Sequence, residues 1–230
     1  MKLALTLTAA LVAGAGLSPT FLATCGGPPP EDFEDCADGL DNDGDGAVDC
    51  NDSECMGGTN LIVTEIQMHP SKIADVDGEY VEFTNFDDRC VDLSKATIAE
   101  DSGLPPSPLP SNSLVKPGAT FVVAGAFYPA DNCGVTANAA WAYDSTLNDG
   151  HDTVTLKAAD GTQLVRLEYC VGAEVGGCQG DWPSCPDGAA LEYCGPDDAT
   201  SNAQGELWQC ATQAYGCGDL GSPKAFNACF

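Results

Sequence analysis

Positive charge is scarce in this chain. Its 230 residues carry 8 Lys and Arg against 35 Asp and Glu, a net charge of −27. Such a field repels phosphate backbones and anionic head groups, so nucleic acid is not an expected partner. Catalytic signatures are scarce as well. No Gly-x-Ser-x-Gly elbow and no phosphate-cradling glycine loop occurs, which removes the common serine-hydrolase and nucleotide-binding frameworks. Histidine is limited to His69, just ahead of Pro70, and His151, at the start of an expected strand. Both read as surface or structural residues. Beyond the N-terminal segment no sustained 3.6-residue apolar period appears, so helices are not expected to build the core. An apolar content of 43 % is ordinary for a globular protein, so the chain as a whole is not a disordered acidic tail.

The one long apolar stretch lies at the start. Met1-Lys2 gives a minimal basic region, residues 3–15 an apolar core, and Pro19 with small residues follows. This is the pattern of an export signal over residues 1–24. A membrane-spanning helix is the alternative, and Pro19 and the lack of a basic stop-transfer flank argue against it. Leu22-Ala23-Thr24-Cys25 resembles a bacterial lipobox, although Thr24 departs from the Gly, Ala or Ser usual before the cysteine. Cleavage near Ala13-Gly14-Ala15 is the competing reading. The lipobox predicts a lipidated Cys25, a linker over 25–35, and a membrane contact through the anchor. The expected location is the outer membrane or cell surface, with a soluble secreted protein as the alternative.

What is abundant is acid and cysteine. Residues 31–54 hold eleven acidic residues and no basic one. Counted from Asp41 as position 1, Asp41, Asp43, Asp45, Asp49 and Asp52 fall at positions 1, 3, 5, 9 and 12, with Gly46 at position 6 and Ala47 at position 7. That is the ligand order of a calcium loop, whose sixth residue turns sharply and whose seventh gives its carbonyl. Oxygen donors suit a hard cation, whereas copper or zinc wants His, Met or thiolate. Ca2+ is therefore the expected cofactor of a motif over residues 36–55, held by Asp41, Asp43, Asp45, Ala47, Asp49 and Asp52. Asp52 stands where a bidentate Glu is usual, so a modest affinity is expected, on the order of 10⁻⁴–10⁻³ M. A solvated, disulfide-tied acidic linker is the alternative.

The chain has 13 Cys. With Cys25 reserved for lipid, an even set remains, which in an exported protein points to disulfides. Cys36, Cys50 and Cys55 lie in the acidic motif, and Cys90 and Cys133 in the middle. Cys170, Cys178, Cys185, Cys194, Cys210, Cys217 and Cys229 lie in the last third. Three is odd, so complete pairing forces at least one bridge from the motif to a later segment. Sequence leaves open which one.

From Asn60 the texture becomes strand-like. Residues 61–67 are apolar and β-branched, and 79–85 put Val81 and Phe83 on one face. Residues 120–124 form a continuous apolar run, as in a strand covered on both faces. Residues 152–158 turn Val154, Leu156 and Ala158 inward, and 163–169 answer with Val165, Leu167 and Tyr169 across a turn at Asp160-Gly161; this is a hairpin pattern. Residues 56–59 read as a hinge-like break, and the segment after Cys170 as a loop-rich, stapled tail. Asp75, Asp77 and Glu79 read as a turn into a strand rather than a second cation loop. Trp141, Trp182 and Trp208 read as packing residues rather than a carbohydrate face. Short strands with turn signals between them predict an all-β antiparallel sandwich.

Residues 62–66 (IVTEI), 78–85 (GEYVEFTN), 91–94 (VDLS), 116–124 (KPGATFVVA), 147–156 (LNDGHDTVTL) and 221–227 (GSPKAFN) together resemble, in order and spacing, a lamin-tail domain of the bacterial, secreted kind. The resemblance implies an immunoglobulin-like β-sandwich over residues 60–229. It implies no catalytic residues, because the family has no common active site. Dense cysteine is a departure from the nuclear members. Residues 36–55 resemble a Cys- and Asp-rich metal-binding motif of bacterial surface proteins, and also the Asp-rich loops of thrombospondin type 3 repeats and dockerins. The expectation is a non-catalytic, calcium-stabilised structural or interaction module whose partner is an extracellular protein or polysaccharide. The alternatives are an accessory protein of a secreted hydrolase or nuclease system and a glycan- or polymer-binding module.

Overall fold

The computed structural model describes residues 35–143, 146–171, 178–227 and 229. Cys25 and the export signal lie outside them. The strands are β1 (Leu61–Gln67), β2 (Tyr80–Asn85), β3 (Val91–Asp92), β4 (Thr97–Ala99), β5 (Ser107–Pro108), β6 (Leu114–Val115) and β7 (Thr120–Ala124). They continue as β8 (Ala139–Ala140), β9 (His151–Lys157), β10 (Gln163–Cys170), β11 (Leu191–Tyr193), β12 (Trp208–Cys210), β13 (Ala214–Tyr215) and β14 (Asp219–Leu220). Helix is confined, among the described residues, to the single turns α1 (Asp75–Gly78) and α2 (Ala199–Asn202) and two short 3-10 segments.

Two sheets make the expected immunoglobulin-like sandwich. One has the order β12-β11-β1-β2-β7-β8 and the other β10-β9-β4-β5. The hairpin read from alternation is β9–β10, with Val154 opposite Leu167 and Leu156 opposite Val165. Inward residues of the two sheets share one apolar core. Val81 and Phe83 lie opposite Val123 and Phe121, and all four pack in one core with Ile98, Val154, Leu156 and Leu167. Each such side chain stabilises the fold by roughly 1.5–3 kcal/mol when fully buried. Trp141, Trp182 and Trp208 belong to this core too, and Trp182 stacks on Trp208 at 5.4 Å between ring centroids. These rings are packing residues.

The six-stranded sheet is covered on both faces. Tyr80, Val122 and Ala124 on its outer face pack with Val135 and Tyr215, and residues 221–227 cover the part beside them. Every residue of β1 and β2 is buried as a result. The tail after Cys170 is more than loop. Its β11 pairs with β1 and its β12 with β11, so the tail widens the large sheet.

Twelve cysteines form six bridges: Cys36–Cys55, Cys50–Cys90, Cys133–Cys217, Cys170–Cys178, Cys185–Cys210 and Cys194–Cys229. Cys50–Cys90 is the exit bridge that the odd count requires. It docks the acidic motif on the sandwich, where Cys36, Cys50, Cys55 and Cys90 bury together against Met56. The hinge expected at residues 56–59 is absent. The Cys90 N–H donates to the Cys55 carbonyl at 2.7 Å and the Gly58 N–H to the Cys90 carbonyl at 3.0 Å. A Cβ on Gly58 would lie 2.5 Å from the Arg89 carbonyl oxygen, so glycine here serves close backbone approach, not freedom.

Candidate metal centre

The acidic motif folds through its own carboxylates. Asp41 accepts the Gly44 N–H at 2.7 Å and the Gly46 N–H at 3.1 Å. Asp43 accepts the Asp45 N–H at 2.9 Å, and Asp45 the Ala47 N–H at 2.7 Å. Short acidic side chains reaching N–H groups a few residues on turn the backbone back repeatedly. Gly46 holds a φ of 97°, the left-handed turn assigned to the sixth position. Carboxylate oxygens of Asp41, Asp43 and Asp45 lie within 4.8 Å of one another, and so do those of Asp43, Asp52 and Glu54. Asp43 is common to both groups.

Asp52 is 1 % exposed. Its Oδ1 accepts the Glu54 N–H at 2.8 Å, while its Oδ2 is buried with no hydrogen-bond partner. A buried carboxylate oxygen without a partner is destabilising, and neighbouring carboxylates repel it. A cation between these groups answers both demands. Asp49 stands apart from both. Its carboxyl takes a 2.7 Å ion pair with Lys116 Nζ and the Gly39 N–H at 3.0 Å. The Lys116 hydrogen bond holds the Asp49 pKa below its ordinary value. Spacing counted from Asp41 does not find Glu54, which enters because the turn at Asp52 folds it back.

A second carboxylate group lies on the outer face of the large sheet. Glu65 on β1 is the register partner of both Glu82 on β2 and Glu192 on β11. All three are at most 1 % exposed. Residues 221–227 satisfy them. The Ser222 N–H donates to Glu65 at 2.8 Å, Ser222 Oγ to Glu192 at 3.1 Å, and the Lys224 N–H to Glu82 at 2.7 Å. Tyr80 adds its hydroxyl to Glu65 at 2.7 Å. A Cβ on Gly221 would lie 2.5 Å from both Glu65 Oε1 and the Tyr80 hydroxyl oxygen. Burial first, then the Glu82 charge, pushes Glu65 up to about 8, and burial pushes Glu82 up to about 7. The signal available in sequence was a glutamate inside each of two apolar runs, at Val63-Thr64-Glu65-Ile66 and Val81-Glu82-Phe83.

The remaining candidates resolve separately. His69 pairs with Asp149 at 2.8 Å, which raises its pKa, in a cleft of about 360 Å³ that Asp187 and Ser184 also line. His151 pairs with Glu168 at 3.0 Å. Asp75 and Asp77 form the helical turn α1, which leads into β2, and Glu79 is buried and accepts the Leu147 N–H at 2.7 Å. Among the described residues no helix is long and apolar enough to cross a membrane. The lamin tail domain family matches residues 56–170. No curated protein matches the chain.

Proposed function

Because the chain belongs to the lamin tail domain family, a non-catalytic domain type, we propose that it is an exported, lipid-anchored surface protein whose sandwich serves as a structural or interaction module. Calcium stabilises the acidic motif that precedes the sandwich. The observation that carries the calcium reading is Asp52, whose buried, unpartnered oxygen belongs to the carboxylate group of Asp43 and Glu54. Asp41 and Asp45 complete the donor set through Asp43. Six disulfides support an oxidising compartment outside the cytoplasm. Cys25 carries the lipid, and its partner is the membrane. The sandwich meets an extracellular protein or polysaccharide.

The test is calorimetric and thermal. At 100 times its dissociation constant, calcium adds about 2.7 kcal/mol of stability, which raises Tm by about 5–10 °C in a domain of this size. Unchanged melting and no binding heat at about 10–100 mM calcium, roughly 100 times the expected dissociation constant, would refute the calcium reading. Incorporation of a fatty-acid analogue, lost in Cys25→Ala, tests the anchor; equal labelling of the two chains removes it.

A further inference from the structure

Lys224 holds a φ of 69°, in the left-handed region that favours glycine. The chain accepts that backbone and places a lysine there. The side chain is half-buried and its amine reaches two acceptors. Its Nζ donates to the Thr120 carbonyl at 2.8 Å and makes a very short contact with Asn138 Oδ1. Asn138 Oδ1 also accepts the Val122 N–H at 2.8 Å, so two donors polarise the same side-chain carbonyl. A buried carboxyl adjoins them. Glu82 Oε2 accepts the Lys224 N–H at 2.7 Å, its Oε1 accepts Thr64 Oγ1 at 2.9 Å, and Glu82 is the register partner of Val122. An amine and a polarised amide thus meet where residues 221–227 cross the edge of the large sheet, and a buried carboxyl is held at the main-chain N–H of the same lysine.

We propose that Lys224 and Asn138 join in an intramolecular isopeptide bond, with Glu82 carrying the protons. Burial lowers the Lys224 pKa and raises that of Glu82 to about 7, which brings the two values closer together for proton transfer. The Lys224 ammonium first gives a proton to the Glu82 carboxylate by way of solvent, since Glu82 meets Lys224 at its main-chain N–H and not at Nζ. Nζ then attacks Asn138 Cγ, and the N–C bond forms as the carbonyl π pair moves to Oδ1. Glu82 gives its proton to Nδ2 and takes one from Nζ. The carbonyl re-forms, the Cγ–Nδ2 bond breaks and ammonia leaves. Nothing is oxidised or reduced, and the departing ammonia takes the remaining proton as ammonium, which returns Glu82 to its carboxylate. The product fixes residues 221–227 over the sheet by a bond that reductants do not open, beside the redox-sensitive Cys194–Cys229 and Cys133–Cys217.

Mass spectrometry of the purified, reduced and alkylated protein decides this. The expected mass is one ammonia below that of the same reduced, alkylated chain without the link, with a branched tryptic fragment joining residues 138 and 224. Lys224→Arg and Asn138→Ala restore the unlinked mass. Asn138→Asp keeps the link but loses water in place of ammonia, a signature that a structural contact does not produce. Glu82→Gln slows linkage at least tenfold. An unlinked mass in the folded, unmutated protein overturns the bond outright, whatever the variants do. Linkage at an unchanged rate in Glu82→Gln overturns the role of Glu82.

Discussion

Two groups of carboxylates in this protein face the same repulsion and escape it in opposite ways. In the acidic motif Asp41, Asp43 and Asp45 are exposed to water and close together, and their main-chain donors come from the motif itself. On the sheet, Glu65, Glu82 and Glu192 are buried in a row, and their donors come from residues more than a hundred positions away as well as from neighbouring strands. An exposed group stays ionised and attracts a cation. A buried one retains protons, because removing them leaves charge in a medium that solvates it poorly. The comparison teaches that density of acid alone does not define a metal site. Coverage by distant donors separates the two: residues 221–227 satisfy the sheet glutamates, whereas the Asp52 Oδ2 of the motif is left without a partner.

The largest test of that contrast is pH. A carboxyl with a raised folded pKa keeps its proton in the folded chain after the unfolded chain has released it. Stability from Glu65 and Glu82 is therefore full below about 4.5 and falls as pH rises towards about 8. The loss is on the order of 5 kcal/mol for these two, read as urea midpoints at pH 5 and pH 8.5. Glu65→Gln should flatten the slope, since Gln keeps an acceptor for the Tyr80 and Ser222 donors. A slope as steep as in the unmutated protein would remove Glu65 from the effect. Calcium binding should run the other way, weakening in acid, because metal binding requires deprotonated ligands. A common pH response of both groups would break the comparison.

Next in size is the covalent tie between the two regions. Cys50→Ser with Cys90→Ser should cost about 2–4 kcal/mol, seen as a lower urea midpoint. It should also raise hydrogen exchange at Gly58 and at the main-chain amide of position 90, which bond across this junction. Unchanged exchange there would mean that the junction is held without the bridge.

Much of this arrangement was readable in the sequence where one local rule operates. The β9–β10 hairpin follows from strict alternation around Asp160-Gly161, and the exit bridge from the parity of three cysteines. The rest depends on contacts across long chain separations. No local pattern says that Ser222 will meet Glu65, 157 residues away, so the glutamates inside the apolar runs of β1 and β2 mark the face without saying what covers it. The same limit hid β11 and β12, which are short and become strands only by pairing beside β1. In the acidic motif, spacing brought Asp41, Asp43, Asp45 and Asp52 to notice, but Asp49 is claimed by Lys116, 67 residues on, and the count from Asp41 passes over Glu54.

Asp52→Asn is the sharper probe of the motif. It removes one charge from a buried position while keeping an acceptor for the Glu54 N–H. The expected result is little change without calcium and loss of most of the calcium-induced stabilisation, about 2.7 kcal/mol at 100 times the dissociation constant of the unmutated protein. A full calcium response in Asp52→Asn would place the ion elsewhere in the motif.

The smallest expected effect belongs to Lys116→Met. Lys116 is half exposed, and its pair with Asp49 links the motif to the sandwich beside the Cys50–Cys90 bridge. Exposed lysines gain little from such pairs, because water and salt screen them. The bridge should keep the motif docked, so melting without calcium should barely move. Calcium affinity should rise, on the order of threefold, because a nearby positive charge is gone and the Asp49 carboxylate is released towards the other acids. Titration calorimetry at low and high salt separates the two contributions: the general charge term fades with salt, whereas a ligand gained from Asp49 persists. A fall in affinity would show that Lys116, rather than the disulfide, holds the motif in its binding form.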